Sequence, residues 1–247
     1  MKDQYAGFAE RYDLPYGPTG QPDQGMVEFF RTLFAQNGIK RVLDCACGTG
    51  RHLQMLRDLG CEVYGSDVSP SMLGQAQINL ATANVKIPLR QADYRSLPEN
   101  YNEYFDAVIC LGAIGYMPDE AQFLKAFESM CGVLSEDGIL VLTAIPTDRQ
   151  WKEKPKFALD ADTQECSRIF AMDYFEHKVR YNILDLLRGS GGTELKIWSA
   201  DLTVMLRDDQ ERLLKASGFR RVEFFSGYDF SPYAKATSDQ MITIAYK

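Results

Sequence analysis

Long apolar runs are missing from the 247-residue chain. No segment approaches the roughly 20 consecutive apolar residues that a membrane-crossing helix needs, so a membrane partner is not expected. The first residues, Met1-Lys2-Asp3-Gln4-Tyr5, lack the apolar core of a secretory signal. Positive charge is also short: the net charge is −7 and the isoelectric point about 5.0. Such a surface repels phosphate backbones, which disfavours a nucleic-acid substrate. Histidine is scarce, with only His52 and His177 present. Six cysteines, Cys45, Cys47, Cys61, Cys110, Cys131 and Cys166, are scattered, several within apolar runs, and do not read as a disulfide framework. Cys45-Ala46-Cys47 has a single intervening residue and no second pair, which argues against zinc, and no metal site is expected. Together these absences point to a soluble, reduced, cytoplasmic protein. They leave its oligomeric state open between monomer and homodimer.

What is present is ordinary globular material, 45% hydrophobic and 25% charged, enough for one α/β domain or a domain with an embedded cap. Tyr5, Phe8, Tyr12 and Tyr16 occur among glycine and proline in residues 1–24, which read as a short helix and a loop. Apolar residues at helical spacing follow from Met26 to Phe34 and stop at Asn37-Gly38. Strands and helices then alternate. Strands are expected at Arg41–Cys45, Glu62–Asp67, Lys86–Ala92, Phe105–Leu111 and Ile139–Ile145. Helices are expected at His52–Leu59, at Pro70–Ala81 behind a Ser69 cap, and at Asp119–Leu134 before an Asp137-Gly138 turn. Continuous apolar strands separated by helices imply a parallel sheet covered on both faces. The pattern breaks at Pro146. Val179–Leu186 and Leu195–Ala200 look like antiparallel strands joined near Gly189-Ser190-Gly191-Gly192. A helix at Asp208–Ser217 and strands at Phe219–Phe225 and Met241–Tyr246 close the chain.

The chemistry concentrates at the strand ends. Asp44 ends the first strand, and Gly48 and Gly50 follow in the turn, where the missing Cβ lets a ligand approach the backbone. A tight strand-to-helix turn would also use these glycines. Asp67 ends the second strand, 17 residues after Gly50, a position from which a carboxylate can bond both hydroxyls of a ribose. Alternatively it caps the next helix beside Ser69. Leu53 stands where the dinucleotide fingerprint has its third glycine, so a nucleoside is supported and a pyrophosphate is not. Asp93, after the third strand, is placed to accept from an adenine amino group, or is a loop carboxylate. Met72 can pack on the adenine face or in the core.

Asp44-x-x-Cys47-Gly48-Thr49-Gly50, then Gly65-x-Asp67-x-Ser69-x-x-Met72-Leu73, then Asp93, then Phe105-Asp106 leading into Leu111-Gly112, resembles the ordered motif set of class I S-adenosylmethionine-dependent methyltransferases. The resemblance implies a Rossmann-like, seven-stranded, mostly parallel sheet with helices on both faces and an antiparallel insertion after the fifth strand. It implies S-adenosylmethionine as cofactor. By position, Asp44, Ala46, Gly48 and Gly50 would surround its methionine part, Asp67 its ribose, Val68 and Met72 its adenine faces, and Asp93 and Tyr94 the adenine edge. Leu111 and Gly112 would offer backbone near the methionine amino group. The Tyr5…Tyr12-Asp13 region and the insertion are similar to small-molecule N-methyltransferases of the glycine/sarcosine and amino-sugar type. This implies an organisation of N-terminal lid and helix (1–36), cofactor-binding core (37–146), substrate cap (147–205) and final helix and strands (206–247). Tyr12 would then lie near the cofactor, with Tyr5 and Tyr116 as substrate candidates, unless these rings merely pack.

Methyl transfer from a sulfonium is an in-line displacement in which the protein mainly aligns and excludes water. No catalytic acid or base is therefore assigned. Arg168 and Arg180 are candidates to meet a substrate carboxylate, or are surface residues. His52 is a possible proton acceptor or a helix-surface residue. Leu111-Gly112-Ala113-Ile114 lacks the Asp/Asn-Pro-Pro-aromatic segment of base-modifying enzymes, and Cys110 follows Ile109 rather than a proline. Both features favour a small-molecule acceptor, with an amine nitrogen ahead of an oxygen. A nicotinamide dehydrogenase and a non-enzymatic cofactor-binding protein are the other classes.

Overall fold

The computed structural model describes residues 3–16, 23–189 and 191–247. The loop expected over 17–22 and Ser190 of the glycine turn lie outside these residues. A four-residue helix α1 (Ala9–Tyr12) comes first. Helix α2 (Gln24–Asn37) begins at Asp23, whose side chain accepts from the Met26 N–H, and ends at Gly38 in the left-handed conformation. Then follow β1 (Arg41–Asp44), α3 (Leu53–Asp58), β2 (Glu62–Asp67), α4 (Pro70–Thr82), β3 (Leu89–Gln91), β4 (Phe105–Leu111), α5 (Glu120–Gly132) and β5 (Leu134–Thr143). After α6 (Asp148–Glu153) come four long antiparallel strands, β6 (Phe157–Asp162), β7 (Cys166–Tyr174), β8 (Lys178–Gly189) and β9 (Gly192–Thr203). Helix α7 (Arg207–Ala216), β10 (Arg221–Phe225) and β11 (Ile242–Tyr246) complete the chain.

Seven strands form one sheet in the order β10-β11-β5-β4-β1-β2-β3. Strands β3, β2, β1, β4 and β5 are parallel; β11 runs antiparallel between β5 and β10. Successive residues of one strand face opposite layers. Val42, Val63 and Ile109 pack under Phe29, Phe30 and Leu56 of α2 and α3, whereas Leu43, Val108 and Leu140 pack against Phe127 of α5 and Leu214 of α7. Strand order reverses between β1 and β4, which opens a crevice at their carboxyl ends.

The main departures from the expected elements lie in β3, β5 and the insertion. Strand β3 is confined to Leu89–Gln91, short of the expected Lys86–Ala92, because Pro88 has no N–H to give a ladder. Strand β5 starts at Leu134 rather than Ile139. Its register against β4 jumps between Phe105 and Ala107, so Asp137-Gly138 is absorbed as a bulge instead of a separate turn. The insertion has four strands where two were expected, in the order β6-β7-β8-β9. The apolar and polar positions of Phe157–Asp162 and Cys166–Tyr174 do not alternate cleanly, which hid both strands.

Candidate active site

Backbone conformation shapes the turn after β1. Gly48 and Gly50 have φ of +53° and +79°, which a side chain would strain. A Cβ on Gly50 would also press to 3.3 Å from Ala76 on α4, while at Gly48 it would meet nothing within 4 Å. The first glycine therefore faces open space and the second permits close helix packing. Asp67 at the end of β2 ties this turn down: one oxygen accepts the Gly48 N–H and the other the Ser69 N–H, each at 2.9 Å. Each oxygen keeps acceptor capacity. Burial, partly offset by those bonds, holds its pKa above the ordinary value. Asp44 is fully enclosed and accepts one long bond, 3.3 Å from the Ala46 N–H. Desolvation, with the Asp67 charge as a smaller contribution, pushes it up to about 7. It is a buried carboxylate lacking a cationic partner among the described residues.

The N-terminal segment roofs the crevice. Asp3 accepts from the Ser69 hydroxyl and the Ser71 N–H, both at 2.8 Å, at the first turn of α4. Tyr5 stacks on Trp198 of β9 with ring centroids 5.1 Å apart and meets Tyr116 edge-on at 6.2 Å. Phe8 takes the next place on Trp198 at 4.6 Å. The Trp198 indole N–H donates to the Gln4 carbonyl (2.8 Å). Burial first, and then Tyr116, raise the Tyr5 phenol above its ordinary range, so it stays protonated at neutral pH.

Between floor and roof lies a partly open cavity of about 450 Å³, within the size range of small-molecule sites. Of the expected residues, Tyr5, Ala46, Asp67, Val68, Asp93, Tyr94 and Tyr116 line it. Tyr12 is half-buried with its ring against Phe8; desolvation, then Asp13 and to a smaller degree Asp67, raise its phenol pKa against the opposing Arg168 charge. Asp44, Gly48, Gly50, Leu111 and Gly112 form the adjoining turns without lining the cavity, and Gly112 donates its N–H to the Thr143 hydroxyl (2.7 Å). Met72 is 3% exposed and does not line the cavity, so packing is its observed role. Asp93 is chelated by Arg95, at 3.0 and 3.1 Å from Nε and 2.5 Å from Nη2, which holds it below the usual carboxylate range against its burial.

Both arginines expected to meet a substrate carboxylate are already occupied by carboxylates of their own sheet. Arg168 is 1% exposed. It donates to Asp185 (2.7 and 3.1 Å) and to the carbonyls of Tyr12 (2.7 Å) and Arg11 (3.1 Å). Arg180 is half exposed and grips Asp201 through two bonds of 2.6 and 3.0 Å. Neither lines the cavity. Spacing alone could not reveal this, because Arg180 and Asp201 meet only through β8–β9 register. His52, at the start of α3, has a pKa pushed down to about 4 by desolvation and then by Arg51, and is neutral at pH 7. His177 is exposed beside Glu176. Sequence reasoning missed Asp3, Arg95 and Asp201, which line the cavity, and the stacking role of Trp198. For Asp3 the neighbouring Tyr5 was a usable signal; for Asp201 there was none.

No group of three or more metal-ligating side chains occurs among the described residues, and no described helix is long and apolar enough to cross a membrane. Residues 42–138 match a methyltransferase domain family. Over 98% of its length the chain is 28% identical to a glycine/sarcosine N-methyltransferase from Aphanothece halophytica, covering 88% of that protein. Its fold superposes on an S-adenosylmethionine-dependent methyltransferase from Clostridium acetobutylicum with a TM-score of 0.80, at 20% identity and 98% coverage of both chains. A sugar N-methyltransferase from a Streptoalloteichus species gives 0.72 at 25% identity, with 96% of this chain and 92% of that one covered. The sheet order with its reversal at β1/β4, the glycine turn tied to Asp67 and these matches together support a class I S-adenosylmethionine-dependent methyltransferase.

Proposed function

We propose that the enzyme transfers the methyl group to an amine nitrogen of a small molecule inside the roofed cavity. The observation that carries this reading is the roof itself. Tyr5, Tyr116 and the end of β9 close over the strand ends and leave about 450 Å³, room for small ligands but not for a folded macromolecule. The names of the relatives, glycine/sarcosine and sugar N-methyltransferases, support nitrogen over oxygen.

The residues present suit the cofactor. Asp67 retains an acceptor site on each oxygen for ribose hydroxyls, and half-exposed Val68 offers an apolar surface for the adenine. Asp44, desolvated and weakly bonded, suits the ammonium of the methionine part. Gly48 leaves open space where a side chain would stand. Tyr94 and Ala46 border the same space. Asp93 can accept from an adenine amino group only by sharing oxygens with Arg95. When bound, S-adenosylmethionine supplies a methyl group activated on a sulfonium.

The chain's own residues then orient and exclude water. Tyr5 and Tyr116 present phenol groups that remain protonated, so they donate or accept single hydrogen bonds rather than carry charge. Their rings can flank a methylammonium through cation–π contact. Alignment of nucleophile and methyl carbon can account for roughly 7–11 kcal/mol of barrier lowering, without a dedicated base for an amine that arrives neutral.

A screen of amine and alcohol acceptors, read by mass spectrometry, tests the reading. N-methylated product supports it. Transfer to oxygen alone replaces the acceptor class, and tight cofactor binding with no product from any acceptor removes the transfer.

A further inference from the structure

The antiparallel sheet buries an ion pair where an apolar core would serve stability as well. Arg168 and Asp185, 1% and 0% exposed, face each other across β7 and β8 in direct register. A buried pair of this kind is often no more stabilising than well-packed apolar residues of the same volume. This pair, however, reaches out of its own sheet. Two of the Arg168 N–H groups end on the carbonyls of Arg11 and Tyr12, at the C-terminal end of α1. Asp185 accepts in turn from Arg11 Nε (2.9 Å). Both guanidinium groups approach the Phe8 ring, Arg11 at 4.6 Å and Arg168 at 5.3 Å from its centroid, while the ring stacks on Trp198. Tyr5, three residues earlier, extends the same stack to the cavity.

We infer that Arg168 and Asp185 are positioning residues for methyl transfer: the buried pair fixes the N-terminal segment to the antiparallel sheet and so sets where Tyr5 and Tyr12 stand above the strand ends. The inference rests on the cavity being the site of transfer. Neither residue touches the cavity, so both act only through the segment they hold. The geometry explains why a guanidinium is used. Its planar fork binds one carboxylate on one side and two backbone carbonyls on the other, which an ammonium point charge cannot reproduce.

The test uses the full chain carrying Arg168→Met together with Asp185→Leu, and separately Arg168→Lys. Four quantities are measured: thermal midpoint, kcat and KM, S-adenosylhomocysteine affinity, and hydrogen exchange of the Phe8, Ala9 and Arg11 amides. These amides are bonded within the segment. The double variant removes the buried pair together and leaves Arg11, its second partner, at the 13%-exposed rim, so its thermal midpoint is expected to fall by only about 4 °C or less. Its kcat should fall about 100-fold, the scale of an ångström of misplacement. Its three amides should exchange at least about tenfold faster. Arg168→Lys should be intermediate in both. A double variant with wild-type kcat and wild-type exchange overturns the inference. If the double variant does not fold, Arg168→Lys decides: native exchange and kcat overturn it, and faster exchange with lower kcat at a native midpoint support it. If the wild type methylates no amine, the proposed function fails. The exchange and affinity measurements still report whether the pair fixes the segment.

Discussion

The floor and the roof of the cavity are built by opposite means. The floor is the carboxyl edge of the seven-stranded sheet, and its decisive bond, Asp67 to Gly48, joins residues 19 apart. The roof is the N-terminal segment resting on the four-stranded sheet, and its bonds join residues 156, 174 and 194 apart. Floor geometry depends on glycine conformations and helix starts that are local properties of the chain. Roof geometry depends on strands from the second half of the chain meeting residues 3–16. On the proposed reading, the cofactor is held by the first kind of structure and the acceptor meets the second.

Several measurements would break or sharpen that division. The largest effect is expected from deleting residues 1–16: turnover should fall by about 100-fold while far-ultraviolet circular dichroism keeps the α/β signature. Full activity in the truncated chain would remove the roof from catalysis. Replacing Asp67 by Ala should weaken cofactor binding by about 1.5–3 kcal/mol in calorimetry, the range for hydrogen bonds to a charged group. Unchanged affinity would place the ribose elsewhere. Asp44 sets a pH dependence in the ligand-free protein. Its pKa is raised from 3.8 to about 7, so the folded state binds the proton more tightly than the unfolded chain. Between these values the native state holds more protons, and its stability declines as pH rises through that window. The thermal midpoint should therefore drop from about pH 5 to about pH 8, and Asp44→Asn should flatten the drop by about 3 °C or more. Equal slopes in the two proteins would mean that Asp44 is not desolvated. The smallest effect belongs to Arg180→Ala. Its ion pair with Asp201 is half exposed, so stability should change by less than about 1 kcal/mol. Acceptor KM should stay within about threefold. A large rise in KM would return Arg180 to the acceptor site.

The legible part of the molecule follows the same line. The glycine turn, Asp67, the Ser69 cap and the five parallel strands could be read because each leaves a local mark: a forced φ, an acidic strand end, a capping hydroxyl, a continuous apolar run. Asp93 lines the cavity, but nothing in the sequence marks its chelation by Arg95, although the two are only two residues apart. A loop carboxylate gives no sign of which neighbour turns toward it. Arg168 shows the larger failure. An arginine in a weakly patterned insertion reads as a surface or substrate residue, and its burial by Asp185 and the carbonyls of α1 depends on three segments folding together.

By itself, the sequence determined the cofactor half of this protein. The chemistry there is carried by backbone conformation and by residues close along the chain, and those constraints are written residue by residue. Only the tertiary structure decided the other half: that Trp198 and Tyr5 stack, that Asp3 and Asp201 face one cavity, and that Arg168 and Arg180 are occupied. The physical reason is that side-chain pairing across antiparallel strands is fixed by register and docking, and neither leaves a periodic trace in the amino-acid order.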